Sequence, residues 1–263
     1  MSPPPHPLPT LLRVALLTGI FVAPAGFAAK AAPNGLVAYQ ATYSVHLDGI
    51  GVGISHLTLE PGPDGLWICH SEAKPNALFG LFDSARLEEE SRFRIHDGRL
   101  VDLSYTLMEP GRSARHDQGV RFDWRQHRAY AHVGSRKTVF SLRGGEMDRL
   151  TAQIALSRDL MLYGHPPKIF RVINHNHLHR YHFVVDGKRQ WRTPIGVFST
   201  VAYVRRSRKG VTLTFWCAPT LYEIPIVARQ THPGHPTVTL HLIGFKRLPG
   251  PPADQVLGNV TPR

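Results

Sequence analysis

Residues 38–60 read AYQATYSVHLDGIGVGISHLTLE, two runs of alternating apolar residues on either side of Asp48-Gly49-Ile50-Gly51. In the first run Tyr39, Ala41, Tyr43, Val45 and Leu47 fall on one face, the period of two that a half-buried strand needs. In the second, Ile54, Leu57 and Leu59 are the apolar anchors. Pro61-Gly62-Pro63-Asp64-Gly65 is a strong turn, and residues 66–73 run back. Three strands joined by short turns make an antiparallel meander, the cheapest way to connect a sheet.

The same reading extends in both directions. Residues 75–82 (PNALFGLF) are compact and apolar, a short helix or a loop able to plug one end of a curved sheet. Strands follow at 84–95, 99–108, 119–124, 128–133 and 137–142 before Gly144-Gly145 interrupts. In residues 146–163, Met147, Leu150, Ile154 and Met161 form one helical stripe, and Leu156 with Leu160 lies roughly opposite. Glu146 and Asp148 favour the N-terminus of this helix, and Gly164 with Pro166-Pro167 stops it. A helix apolar on two sides is expected inside the fold. Strands resume at 169–174, 178–185, 196–206, 211–217, 222–230 and 237–245. The sequence therefore predicts a mainly β protein: a strongly curved antiparallel sheet or half-open β-barrel with one long amphipathic helix. With 23 glycines and 22 prolines, a helical bundle is excluded, and 42% hydrophobic against 19% charged residues excludes wholesale disorder.

The first residues read as an address. Arg13 precedes the apolar run Val14–Ala23, and Pro24 and small residues follow, with cleavage expected after Ala28 or Ala31. The run is short for a membrane span, which takes about 20 residues. The expected organisation is a signal peptide over 1–31, one β-rich domain over 32–248 and a disordered proline-rich tail over 249–263. An exported chain of 29.4 kDa with no later span belongs in the periplasm. There Cys69 and Cys217 have the redox conditions to bond, and each also sits in a strand-like run where a free thiol is an ordinary small hydrophobe.

The chain carries a net charge of +12, dispersed except at Arg205-Arg206-Ser207-Arg208-Lys209, which reads as a hairpin tip. Outside the cytoplasm such a surface points to an anionic envelope component and away from nucleic acid. His175, His177 and His179 would line one face if residues 171–183 were a single strand, making them candidate metal ligands. Against that, Asn174-His175-Asn176-His177 reads as a polar turn, and no carboxylate or thiolate nearby completes a ligand set. No cofactor is implied.

Several stretches in succession resemble a bacterial exported family, domain-of-unknown-function family 3108. They are Tyr39 with Tyr43-Ser44-Val45, Glu90-Ser91-Arg92-Phe93, Asp97-Gly98-Arg99-Leu100, Ser104-Tyr105, Phe122-Asp123-Trp124, Met147-Asp148-Arg149-Leu150-Thr151, Thr193-Pro194-Ile195-Gly196-Val197-Phe198 and Trp216-Cys217-Ala218-Pro219 with Ile224-Pro225-Ile226. The resemblance implies a periplasmic protein with a barrel-like fold similar to the half-open barrels of lipoprotein carriers. It brings no catalytic residues.

Enzymatic constellations are sparse. There is no Gly-x-Ser-x-Gly elbow, Ser55-His56 and His70-Ser71 are strand neighbours that face opposite ways, Glu88-Glu89-Glu90 reads as a solvated run, and an Asp123–Asp148 pair is speculative. The expectation is a non-catalytic envelope protein holding a lipid or other amphiphile in a barrel cavity. Its wall would draw on Trp67, Phe79, Phe82, Tyr105, Trp124, Phe198, Trp216 and Tyr222. The alternative is an envelope scaffold or interaction protein with no internal ligand.

Overall fold

In the computed structural model, residues 34–76, 86–110 and 114–251 are described. The chain runs β1 (Tyr39–Leu47), β2 (Ile50–Pro61), β3 (Leu66–Pro75), β4 (Leu87–His96), β5 (Arg99–Met108), β6 (Gln118–Asp123), β7 (Arg128–Val133) and β8 (Arg136–Ser141). It continues with β9 (Glu146–Asp148), α1 (Arg149–Tyr163), β10 (Phe170–Asn174) and β11 (His177–Tyr181). It ends with β12 (Val184–Thr193), β13 (Gly196–Arg206), β14 (Thr212–Ala218), β15 (Ile224–His232) and β16 (His235–Arg247).

Thirteen of these strands form one antiparallel sheet in the order β12-β13-β14-β15-β16-β1-β2-β3-β4-β5-β6-β7-β8. Every neighbour is a sequence neighbour except at the centre, where the first strand pairs with the last, Tyr39 opposite Arg247 through Leu47 opposite Val238. The sheet is not closed. Between its free edges, β8 and β12, the chain inserts α1 and the three-stranded sheet β11-β10-β9. The insert touches both flanks: Asn176 Nδ2 donates to the Arg136 carbonyl on β8 at 3.0 Å, and the Arg205 guanidinium of β13 lies 4.1 Å over the Tyr181 ring. The result is the mainly β, half-open barrel with one helix that the alternation predicts.

The helix starts later than expected. Residues 146–148 are extended and pair in parallel with β10, so α1 starts only at Arg149. Asp148 caps it, accepting from the amides of Leu150 at 2.7 Å and Thr151 at 2.8 Å, and Gly164 ends it in the left-handed region at φ 73°. As expected of a helix apolar on two sides, it lies inside the fold. Thr151, Ala152, Ile154, Ala155, Leu156, Ser157, Arg158 and Leu160 are all buried and cover every direction around the axis. Arg158 is accommodated by donating from Nε to the Asn34 carbonyl at 2.8 Å and from Nη2 to the Gly98 carbonyl at 2.7 Å. Among the described residues no helix is long and apolar enough to cross a membrane.

β12 is not evident in the sequence. It is an exposed edge strand that carries Asp186, Gly187, Lys188 and Arg189 and takes a bulge between Val185 and Lys188, so the alternation is lost. Pro225 sits where a ladder irregularity absorbs its missing N–H, opposite Cys217.

Candidate functional site

The deepest polar cluster lies where the start of α1 meets β4 and β5. Ser91, Asp102 and Asp148 are each 0% exposed. The Ser91 hydroxyl donates to Asp148 Oδ2 at 2.5 Å and lies 2.7 Å from the Thr151 hydroxyl, which also donates to Asp148 Oδ2 at 3.2 Å. Asp102 Oδ2 accepts from the Asp148 amide at 2.6 Å, and the Trp124 indole donates to the Asp102 carbonyl at 2.6 Å. Beside them Glu89 accepts from the Tyr105 hydroxyl at 2.8 Å and from Arg149 Nη2 at 2.9 Å.

Burial and the neighbouring Asp148 charge hold the Asp102 carboxyl well above the usual carboxylate range. Burial also raises Asp148, opposed by its hydrogen bonds from Asp102, Ser91 and two amides. Asp102 Oδ1 meets no N–H or O–H donor, whereas Asp148 is surrounded by them. Of the two, Asp102 is the acid whose protonated form the surroundings favour more, because Asp148 takes most of the donors. Chemically the cluster binds a proton and fastens the helix start to two strands. Its hydroxyls already donate to a carboxylate, and Ser91, Asp102 and Asp148 are fully buried.

Sequence reasoning pairs Asp148 with Asp123. The structure corrects this: Asp123 accepts from Arg121 Nη1 and the Gln126 amide at the surface, and Asp102 is the partner. Glu89 likewise departs from a solvated run, because alternation turns it inward between half-buried neighbours. A bulge in the β4–β5 ladder, between Arg92 and Phe93, lets Asp102 and Tyr105 both face the core although they are three residues apart. The motifs that carried the family resemblance at Ser91, Tyr105, Trp124 and Asp148–Thr151 meet here.

Of the eight cavity-wall candidates, the six among the described residues lie on both faces of the sheet. Trp67 and Tyr105 are core residues on the helix side of the sheet. Trp124 stacks on Phe122 at 6.0 Å, and Tyr222 stacks on Phe245 at 6.2 Å. Trp216 alternates with the fully buried Cys217 and points to the opposite face, where it meets Trp191 at 5.4 Å; Phe198 pairs with Trp191 in the β12–β13 ladder. Phe79 and Phe82 lie outside the described residues, as do the predicted signal peptide and nearly all of the tail. Beside the helix, Tyr39, Ile154, Met161, Tyr222 and Ile224 leave about 10 Å³, room for one water.

The two cysteines are free thiols, both fully buried, and burial raises both well above the ordinary thiol range. His175 and Asn176 form a two-residue turn, with φ 49° and 57°, between β10 and β11. This puts His175 at the tip, off the strand that carries His177 and His179, whose rings are 6.1 Å apart. Among the described residues no three His, Cys, Asp or Glu side chains converge as metal ligands.

No protein-family model matches the chain, and no curated protein matches it in sequence. Among solved structures it is similar to the β-barrel-like protein of domain of unknown function DUF1849 from Brucella abortus. That match has TM-score 0.51 and 10% identity, covering 81% of this chain and 98% of that one. A putative lipoprotein from Parabacteroides distasonis matches over 81% of this chain and 96% of its own at 8% identity and TM-score 0.31, too loose a superposition to bear on the fold. The first similarity establishes that the chain has a β-barrel-like fold.

Proposed function

We propose that the mature chain is an exported, non-catalytic protein of the cell envelope that acts through its outer surface on an anionic component, with its interior closed. The observation that carries this reading is the enclosed helix: from Leu150 to Leu160, α1 buries residues in every direction around its axis, and the pocket beside it measures only about 10 Å³. An acyl chain needs a cavity of hundreds of Å³, so an amphiphile held inside is the weaker reading. The sealed acid cluster supports the non-catalytic part, since its hydroxyls and carboxyls satisfy one another. The resemblance to family 3108, the leader-like N-terminus and the charge of +12 support the envelope and the anionic partner.

Native mass spectrometry of the chain purified from an envelope extract tests the reading. The expected mass is that of the polypeptide alone, starting at Ala29 or Ala32. A stoichiometric adduct of lipid mass that survives gentle desolvation would overturn it in favour of the amphiphile carrier.

A further inference from the structure

Trp191 on β12 touches the ring of His241 on β16, with centroids 5.8 Å apart. In a flat sheet those strands, four places apart, would be about 19 Å from each other at 4.8 Å per step. The sheet therefore curls over the face away from the helix, and there β15, β16 and β1 present an open groove of about 530 Å³. The volume lies within the range of small-ligand sites.

Its floor is set by register. Arg229 is opposite Thr239, and Thr239 is opposite His46, so the three stand side by side on one face. Thr231, Thr237 and His241 fall on the same face, two residues along their strands. Among the described residues the Arg229 guanidinium has no carboxylate partner; it rests 5.4 Å from the Trp216 ring. Asp48, the acid at the groove's end, already accepts from the Thr237 amide at 2.8 Å. The donors outnumber their acceptors. His46 Nδ1 and the Trp191 indole nitrogen lack any hydrogen-bond partner. Burial first, and then the neighbouring His46 and Arg229, hold His241 below the usual imidazole range.

We propose that this groove binds a phosphate ester, with Arg229 and the hydroxyls of Thr231, Thr237 and Thr239 on its oxygens and the imidazoles of His46 and His241 flanking it. A forked guanidinium with several hydroxyls suits a group with three or four acceptor oxygens better than a carboxylate with two. The proposal rests on the anion-directed reading above and gives it a location and a chemistry.

The test is titration of the mature chain with inorganic phosphate, with glycerol phosphate, and with phosphatidylglycerol vesicles against phosphatidylcholine vesicles. Each titration is run on the wild type, Arg229→Gln, Thr239→Val and the hairpin-tip double variant Arg208→Gln/Lys209→Gln. Saturable binding weakened tenfold or more by Arg229→Gln and several-fold by Thr239→Val, with the double variant unchanged, is the expected result. Seen with the soluble ions it identifies a free phosphate ligand; seen with vesicles alone it identifies a lipid head group. Anion binding that Arg229→Gln leaves intact, or that only the hairpin variant weakens, overturns the groove while sparing the broader reading. A wild type that binds none of the probes overturns both.

Discussion

Asp102 and Asp148 have the same side chain and the same depth, yet they differ in the donors they meet. Asp148 accepts from two amides and two hydroxyls, whereas Asp102 has one amide and an oxygen with no hydrogen-bond partner. The native state thus keeps on Asp102 a proton that the unfolded chain releases near pH 4. Above that pH the folded state binds more protons, so this group's contribution to stability is full below about pH 4 and is lost as pH rises toward the raised native value. Asp102→Asn supplies the N–H permanently and keeps an oxygen for the Asp148 amide. It is expected to raise Tm at pH 7.5 by about 2–4 °C, the shift that ~1 kcal/mol makes in a domain of this size. It should also flatten the fall in Tm between pH 5 and 8, as followed by circular dichroism melts. An Asn variant less stable than wild type at pH 7.5 would show that the acid pair is not a net cost at that pH and would overturn this account.

At the level of the element, α1 depends on its cap more than on its intrinsic pattern, since its apolar residues point in all directions. Asp148→Ala removes two amide bonds and strands the hydroxyls of Ser91 and Thr151. The expected loss in urea unfolding is about 2–4 kcal/mol, a cap plus unsatisfied buried donors. Asp148→Asn should cost less. The position and C-terminal end of this helix were legible, because Gly164 and the stripe through Leu150 and Ile154 are local signals. The meander over β1 to β3 was legible for the same reason: its period of two and its turns are written in consecutive residues. What escaped was whatever depends on a partner far along the chain. β9 looks helical until β10 lies beside it. β12 has no apolar rhythm and exists as an edge of β13. Asp102 turns inward only because of a bulge, and whether Trp216 or Cys217 faces the core is decided by curvature at the other end of the sheet. The buried cluster was legible as separate motifs, and the outer groove was not, because its residues come from three strands with unremarkable threonines between them.

Across the whole molecule, the sheet is two meanders welded at β1 and β16. Removing β16 parts them and leaves β1 and β15 with unpaired edges. A chain ending at residue 234 is expected to lose cooperative unfolding and to aggregate. Co-expression of residues 235–251 as a separate segment should restore a soluble complex, measured by co-purification and by recovery of a single melting transition. A truncated chain that melts cooperatively by itself would mean that each meander is an independent unit.

The weld also fixes an order in time. Thr237, which donates to Asp48, lies 189 residues after it, so at ~5–20 residues per second β1 waits on the order of 10–40 s of synthesis for its neighbour. During that interval the strand is an open template on which a second nascent copy can pair. A holding chaperone that keeps this protein competent therefore has β1 as its principal segment to shield.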